Sequence, residues 1–207
     1  LFVLLGTLAR GGWIAVAVSG LIFIFFKRPW KLILIAFSFF FIGLFVLKTV
    51  YPEISKTLFY KLEQTDSSNR YKNGVQGSAF ELIMKNPVIG YGYGDDVYIK
   101  IYNNAVKQHP NWVYRESLGP HNIWLSIWFG TGIVGLVLLS LLFLSMCYSS
   151  YKGVREHSTH SLIFFSFLTI LSSLISFYLI RGMFEQVDLK PLGIQLGFLV
   201  AMMGFNS

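Results

Sequence analysis

Residues 123–147 read IWLSIWFGTGIVGLVLLSLLFLSMC, an apolar run that contains no charged side chain. About 20 apolar residues in a helix cross the hydrocarbon core of a bilayer, so this run predicts a membrane span. Further runs occupy residues 13–26, 32–50 and 162–180, and a last one begins at Pro191. The whole chain is 54% hydrophobic and 13% charged, far more apolar than an average soluble domain. We therefore expect an all-α fold, a polytopic bundle of transmembrane helices.

The charged residues indicate how this bundle is oriented. Segments 27–31 and 149–161 carry five Lys and Arg residues against Glu156 alone, whereas segment 51–120 carries eight Lys and Arg against seven Asp and Glu. Short loops rich in Lys and Arg stay in the cytoplasm, which predicts that the long segment is external. We expect three parts: membrane helices over 1–50, a large loop with short helices over 51–121, and membrane helices over 122–207.

Composition excludes several classes of function. The net charge of +7 is not gathered into a basic face with interleaved aromatic residues, so we expect no nucleic-acid partner. Cys147 is the single cysteine, and no Cys and His cluster has metal-ligand spacing, so we expect neither redox nor metal chemistry. The chain opens inside an apolar run without a basic segment before it. We expect it to be the C-terminal part of a longer protein rather than to begin with a signal peptide.

The large loop contains a predicted helix. Apolar side chains recur every three or four residues, the spacing of one helical face, at Tyr71, Val75, Ala79 and Leu82. Residues 66–69 read DSSN and supply capping side chains, while Asn86-Pro87 ends the helix. Arg70 then lies in the first turn, where a cation gains nothing from the helix dipole. A functional role explains this placement, and an ion pair with Asp66 is the alternative.

Other features of the loop have two interpretations each. Residues 90–95 read GYGYGD and loosely resemble a phosphate loop, but the Gly-Lys-Ser/Thr ending and the βαβ context are missing, so we interpret them as a turn. Tyr102, Trp112 and Tyr114 would either stack on sugars or lie at the membrane interface. In the apolar run that follows, the glycines at 130, 132 and 135 indicate close helix packing rather than chemistry.

Two residues near the external surface are candidates for chemistry. Because an arginine at the centre of a span is costly, we predict a turn at Gly11-Gly12 that leaves Arg10 at the external end of a helix. A snorkelling or topogenic arginine is the alternative. Pro120 suits the first turn of the next membrane helix, which places His121 where the dipole favours a neutral imidazole and hence a general base. A structural histidine, hydrogen-bonded at the membrane surface, is the alternative.

The predicted topology brings Arg10 and His121 to the same side of the membrane as Arg70. Two arginines without a metal site suit a diphosphate, because guanidinium groups bind phosphate oxygens in bidentate fashion and stabilise charge on a leaving group. Together with a general base, they are what glycosyl transfer from a polyprenyl diphosphate sugar requires.

Five short segments, in order between the predicted spans, form a pattern more specific than any one motif. They are Ala9-Arg10-Gly11-Gly12-Trp13, Asn69-Arg70-Tyr71, Asn86-Pro87-Val88-Ile89-Gly90-Tyr91-Gly92, Gly119-Pro120-His121-Asn122-Ile123-Trp124-Leu125 and Gly132-Ile133-Val134-Gly135. This set resembles the O-antigen ligase and polymerase family, over nearly the whole chain. The match corresponds to the C-terminal half of a protein with about a dozen membrane helices. Ala9 departs from the Ser or Thr that commonly precedes the first arginine of the family.

The resemblance implies a glycosyltransferase of the GT-C type in the bacterial inner membrane, with a periplasmic active site and neither metal nor other cofactor. Ligases of the family transfer polysaccharide from undecaprenyl diphosphate to a sugar hydroxyl of the lipid A core, so these two glycolipids are the expected partners besides membrane lipids. The resemblance further implies that Arg10 and Arg70 hold the diphosphate, that His121 activates the acceptor hydroxyl, and that Arg181 is a third positive group.

Two other functions stay open at this point. Polymerases of the family share the arginines and the loop pattern, and the Gly119-Pro120-His121-Asn122 segment favours a ligase. A non-enzymatic carrier of lipid-linked sugars would keep charged or polar groups near the bilayer midplane, whereas these spans offer serine and glycine there. The sequence therefore favours an enzyme over a carrier.

Overall fold

A computed structural model describes residues 10–27, 30–50, 52–53, 56, 60, 71–185 and 187–204. Every regular element in these residues is helical, which confirms the all-helical expectation. In chain order the helices are α1 (Arg10–Lys27), α2 (Trp30–Val50), α3 (Val75–Lys85), α4 (Asp95–Ala105), α5 (Ile123–Glu156), α6 (Leu162–Ser173) and α7 (Lys190–Gly204). A 3-10 turn, Val106–Gln108, follows α4, and α6 continues through a π-helical segment, Leu174–Ile180, into a 3-10 turn, Arg181–Met183.

Two of these helices are long and apolar enough to cross a membrane: α5, with 34 residues, and the continuous helix Leu162–Met183, with 22. Three further apolar segments are shorter, namely Gly11–Lys27, Phe37–Val50 and Lys190–Gly204. Large apolar side chains on these helices face outward, and Phe39 on α2, for example, is 69% exposed. Such a surface is stable against lipid tails rather than water, so both the length and the surface of the helices fit a membrane protein.

The long helix α5 is broken at Gly132, whose φ of 67° and ψ of −172° lie outside the helical region. A straight helix of 34 residues would be about 51 Å long, well beyond the roughly 30 Å that a bilayer core requires. The kink divides α5 into a short first part, 123–131, and a long apolar part, 133–156. The first part packs against the large loop, which leaves the second part for the membrane.

The chain between α3 and α4 replaces the helical hydrogen bonds that this kink breaks. Three backbone hydrogen bonds join the two segments: Tyr91 N to Phe129 O at 2.8 Å, Gly92 N to Gly130 O at 3.0 Å and Ile133 N to Pro87 O at 2.9 Å. The backbones can approach so closely because Gly132 has no Cβ. A Cβ at this position would overlap the Val88 carbonyl. Residues 90–95 therefore form the predicted turn, with two of their amides used by α5 rather than available to a phosphate. Gly130 and Gly132 pack against this loop, whereas the sequence predicted that they pack against another helix.

Helices α1, α5, α6 and α7 share a hydrophobic core. Its buried side chains include Phe143, Met146, Phe164, Phe167, Leu171 and Leu199. Two side-chain hydrogen bonds cross the bundle, one between the hydroxyls of Ser19 and Ser172 at 2.6 Å and one from Gln195 Nε2 to Ser173 Oγ at 2.7 Å. Polar contacts of this kind hold helices together where lipid removes the hydrophobic driving force, so they fix α1 and α7 against α6.

A second, smaller core belongs to the large loop and the start of α5. It contains Ala79, Leu82, Ile83, Tyr98, Tyr102, Val106, Trp112 and Phe129. Trp112 and Tyr102 are each 1% exposed, and the Trp112 indole donates to Glu81 Oε2 at 2.9 Å. The expectation that these two rings stack on sugars or lie at the membrane interface is therefore wrong, because they are core residues. Tyr114 is half-buried, and its carbonyl accepts the Tyr102 hydroxyl at 2.8 Å.

The predicted turn at Gly11-Gly12 is wrong, because both residues lie within α1. The missing side chain at Gly11 serves packing instead. A Cβ there would lie 3.4 Å from Phe184 Cβ and 3.5 Å from Glu185 Oε1, so the helix is in close contact with the segment that follows the 3-10 turn. Glycine at this position thus brings two backbones together without ending a helix.

The predicted start of α3 is also wrong. The helix begins at Val75 with Gly74 as its N-cap, so residues 66–69 do not cap it and Arg70 is not in its first turn. The chain bends just before the helix, and the Tyr71 carbonyl occupies the space that a side chain on Gly77 would need. This bend removes Tyr71 from the buried face and leaves it 54% exposed. The end of the helix is confirmed, since Asn86 is its C-cap.

Candidate active site

His121 lies in a sharp bend just before α5. Its φ of 46° is the one positive value of a non-glycine residue in the described part of the chain, and Gly119 nearby has a φ of 76°. A non-glycine residue in such a region stores about 1–3 kcal/mol of strain, which persists only where surrounding contacts impose it. Strained residues cluster at functional sites, so the backbone marks His121 independently of its chemistry.

Asn122 determines where α5 begins. Its Oδ1 accepts hydrogen bonds from the amides of Trp124 and Leu125 at 2.9 and 3.1 Å, which makes Asn122 the N-cap. The prediction that Pro120 occupies the first turn is wrong, because the asparagine side chain caps the helix two residues later. His121 still directly precedes the cap and so lies near the positive end of the helix dipole.

The Met183 carbonyl joins the His121 bend to two other segments. It accepts hydrogen bonds from Asn122 Nδ2 at 3.2 Å and from Gln76 Nε2 at 3.1 Å. Gln76 is only 7% exposed, and the same nitrogen also donates to the His121 carbonyl at 3.3 Å. The start of α3, the His121 bend and the end of the Arg181–Met183 turn are far apart in sequence, and these bonds hold them in one place.

Arg181 lies at the other end of the same 3-10 turn. Its Nε donates to Glu185 Oε2 at 2.6 Å, and its guanidinium carbon lies 5.1 Å from the centre of the Phe177 ring. Both charged side chains are partly exposed, at 36% and 23%, so solvent screens their attraction. The ion pair therefore orients the Arg181 guanidinium more than it stabilises the fold.

Of the other two predicted arginines, Arg10 is among the described residues and Arg70 is not. Arg10 is the first residue of α1, and the contact of Gly11 with Phe184 and Glu185 brings its backbone beside the Arg181 turn. Arg70 lies outside the described residues. The structure thus brings together the backbone at Arg10, the Arg181 side chain and the His121 bend.

Two cavities are lined in part by residues of the Arg181 turn or of the chain that follows it. The Arg181 cavity, of about 500 Å³, lies between α1, α6 and α7 and is lined by residues that include Gly12, Ser19, Ser172, Tyr178, Arg181 and Gln195. The Tyr93 cavity, of about 790 Å³, is lined by residues that include Gly92, Tyr93, Leu118, Pro120, Val187 and Lys190. Both volumes are within the range of about 300–1,000 Å³ that small-molecule sites occupy.

Three phenols of the large loop have raised pKa values. Burial raises the pKa of Tyr91, Tyr98 and Tyr102 above the ordinary value, because it removes water from the charged phenolate. The Tyr91 hydroxyl donates to the Leu82 carbonyl at 2.9 Å, a bond that only the neutral form makes. Tyr91, and Tyr102 through its bond to the Tyr114 carbonyl, are therefore structural donors at neutral pH. Across the described residues, no group of three His, Cys, Asp or Glu side chains is arranged to hold a metal ion.

Gln76 and the Met183 carbonyl are parts of the site that the sequence analysis missed. Gln76 adjoins the apolar face of α3. The one feature of the sequence that could have indicated its role is that an uncharged polar residue follows Val75 at the start of that face. Met183 contributes a backbone oxygen, which no side-chain pattern reveals.

Comparison with known proteins identifies the family of the chain. The family model described as O-antigen ligase matches residues 1–140. The O-antigen ligase of Salmonella typhimurium (strain LT2) is 43% identical over 210 residues, which cover 98% of this chain and 50% of that protein. Proteins of Rickettsia felis and Rickettsia conorii, both named provisionally as polysaccharide ligases, are 30% and 31% identical over 68% and 67% of the chain.

The chain spans half the length of the Salmonella relative and about a third of each Rickettsia relative. The search of solved structures finds no match. The family model nevertheless covers well over half of the chain, including Arg10, Arg70 and His121. The chain therefore belongs to the O-antigen ligase family.

Proposed function

We propose that the full-length protein is a ligase-type glycosyltransferase of the bacterial inner membrane. It transfers polysaccharide from undecaprenyl diphosphate to a sugar hydroxyl of the lipid A core at the periplasmic face, without a metal. The observation that carries this proposal is the meeting of the His121 bend, the Arg181 turn and the start of α1 around the Met183 carbonyl. Membership of the O-antigen ligase family supports the class of reaction.

In the proposed reaction His121 is the general base. A ring nitrogen takes the proton of the acceptor hydroxyl while the hydroxyl oxygen bonds to the anomeric carbon of the donor sugar. The bond between that carbon and the diphosphate oxygen breaks, and undecaprenyl diphosphate leaves with the electron pair. A position next to the N-cap of α5 supports this role, because the helix dipole favours a neutral imidazole, which is able to accept a proton.

Arg10, Arg70 and Arg181 are proposed to hold the diphosphate. Negative charge on the leaving oxygens grows as the sugar bond breaks, so guanidinium groups near them stabilise the transition state more than the bound substrate. The Glu185 carboxylate holds Arg181 through Nε, the nitrogen closest to the backbone, and this orients the guanidinium plane. The same donor chemistry would serve a polymerase, and the two reactions differ in the acceptor.

Complementation tests the proposal. The full-length protein is expressed in a ligase-deficient strain, and lipopolysaccharide is followed on a gel. We expect polysaccharide-capped lipopolysaccharide with the wild-type protein and none with Arg10→Ala, Arg70→Ala or His121→Ala, at equal membrane levels of each protein. Arg155→Ala is the control, because Arg155 is exposed in the last turn of α5, at the opposite end from His121.

Each alternative has its own outcome. Lipid-linked polysaccharide that never elongates without this protein would identify a polymerase. Full activity of His121→Ala would refute the general base, and transfer that depends on none of the three residues would refute the proposed site. A strain in which lipid-linked donor moves across the membrane but is never joined to lipid A core would identify a carrier.

A further inference from the structure

The Tyr93 cavity adjoins the chain immediately before the proposed base. Gly119 and Pro120, the two residues before His121, line its wall. The two cavities share no lining residue, because Arg181 lines the smaller one and 187–190 line the larger one. An acceptor in the Tyr93 cavity and a donor held beside Arg181 would therefore occupy separate spaces.

The lining of the Tyr93 cavity does not fit a diphosphate. Lys190 and Asp188 are its charged residues and there is no arginine, so its charges balance. Asp188 Oδ1 accepts the Lys190 amide at 3.0 Å, which holds the carboxylate at the cavity edge. A dianionic group gains little in a wall of this composition, which argues for an uncharged ligand.

The same lining fits a sugar ring. The Tyr93 ring is 67% exposed and offers a flat apolar face, and Leu118, 52% exposed, adds a second apolar surface. Ser117 and Ser126 also line the cavity. The Ser117 hydroxyl accepts the Gly119 amide and so offers its proton to a ligand, whereas the Ser126 hydroxyl donates to the Asn122 carbonyl and so offers an acceptor. An apolar wall with a few convergent polar groups is typical of small-molecule sites, and a sugar presents both an apolar ring face and hydroxyls.

We propose that the Tyr93 cavity binds the acceptor, as the terminal sugar of the lipid A core, and that Tyr93 is the platform on which its ring lies. The inference rests on the proposed transferase function. It adds the subsite that presents the hydroxyl to His121 from the Pro120 side. Tyr93 is thus a binding residue, distinct from the base and from the arginines.

Initial rates in membrane vesicles of the full-length protein test this assignment, with isolated lipid A-core as the varied acceptor. We expect Tyr93→Ala to raise the acceptor KM about tenfold and Tyr93→Phe to change it by less than about twofold, because the ring supplies the contact. The kcat and the donor KM should not move. Tyr148→Ala is the matched control, since Tyr148 is 69% exposed on α5 and lies outside the cavity lining. An unchanged acceptor KM in Tyr93→Ala, or a change confined to the donor KM, would overturn the assignment.

A second measurement does not depend on turnover. In a Cys147→Ser background, Leu118→Cys is labelled with a maleimide in the presence and absence of lipid A-core, and Val88→Cys, 58% exposed and outside the cavity lining, is the control. Protection of position 118 alone supports the cavity. If the wild-type protein never transfers polysaccharide but position 118 is protected, the transferase proposal fails and the sugar-binding assignment stands. If transfer occurs and position 118 is labelled equally in both conditions, the cavity assignment fails alone.

Discussion

Gly132→Ala tests whether the kink in α5 holds the large loop in place. At φ 67° and ψ −172° the backbone is in a region essentially restricted to glycine, so alanine costs about 1–3 kcal/mol in strain. Its Cβ would also overlap the Val88 carbonyl, which forces the loop away from the helix. The three backbone hydrogen bonds at the kink and the bond from Trp128 Nε1 to Pro87 O, at 3.0 Å, would then be lost, each at about 1 kcal/mol. Together these effects amount to about 5–7 kcal/mol, close to the whole stability of many domains.

Thermal unfolding of the solubilised protein, followed by tryptophan fluorescence, measures this loss. Since 1 kcal/mol corresponds to about 2–4 °C for a protein of this size, we expect the transition to fall by more than about 10 °C. Limited proteolysis in vesicles should cut the large loop in the variant before it cuts the wild-type loop. Gly193→Ala is the matched control, because a Cβ at Gly193 meets no atom within 4 Å and alanine favours a helix by about 1 kcal/mol.

The two variants should therefore move in opposite directions. A Gly132→Ala protein that unfolds at the wild-type temperature, with its loop equally resistant to protease, would refute the idea that the kink and the loop support each other. A similar loss in Gly193→Ala would show that the assay reports any added methyl group rather than the kink.

Three further predictions concern the site and the loop core. His121→Gly should abolish transfer yet raise the unfolding temperature relative to His121→Ala, because glycine relieves the strain of a positive φ. Gln76→Leu should lower kcat more than tenfold, with Gln76→Glu no better, because both variants lose the amide that links the carbonyls of His121 and Met183; a normal kcat in Gln76→Leu would contradict this. Burial raises the pKa of Tyr98 above its ordinary 10.0, so the stability that its neutral phenol provides is complete below about pH 10 and is lost as the pH rises further. Tyr98→Phe cannot ionise, and its melting temperature should fall less than that of the wild-type protein above that pH.

Hydropathy predicted where helices exist better than where they end. The described helix Trp30–Val50 is the predicted span 32–50 with two residues added at its start, whereas α5 continues nine residues beyond the predicted 147 to Glu156. Apolar length reports how much of a helix suits lipid. The last turns of α5 carry Lys152 and Arg155 and are not suited to lipid. These turns are helical because a helix, once formed, extends by one backbone hydrogen bond for each residue added.

The kink and the aromatic core could not be predicted because both depend on partners far away in sequence. Gly132 resembles any small residue in an apolar run until the chain from Pro87 to Gly92 supplies the lost hydrogen bonds. Trp112 and Tyr102 have the composition of an exposed aromatic cluster, and only the packing of α3 against α4 makes them core residues. A sequence pattern reports local periodicity, and these positions are decided by tertiary contacts.

The candidate site was likewise predictable only in part, because side chains are visible in the sequence and backbone contacts are not. Arg10, His121 and Arg181 were predicted from the chemistry of their side chains, but the contacts that hold their segments together run through Gly11, the Met183 carbonyl and the side-chain amide of Gln76. Since Gln76 belongs to α3 and the Arg181 turn ends a membrane helix, the site is complete only when the loop has folded onto the bundle. A substitution that loosens the loop core, far from His121, should therefore lower transfer through the same hydrogen bonds that a direct change at Gln76 would remove.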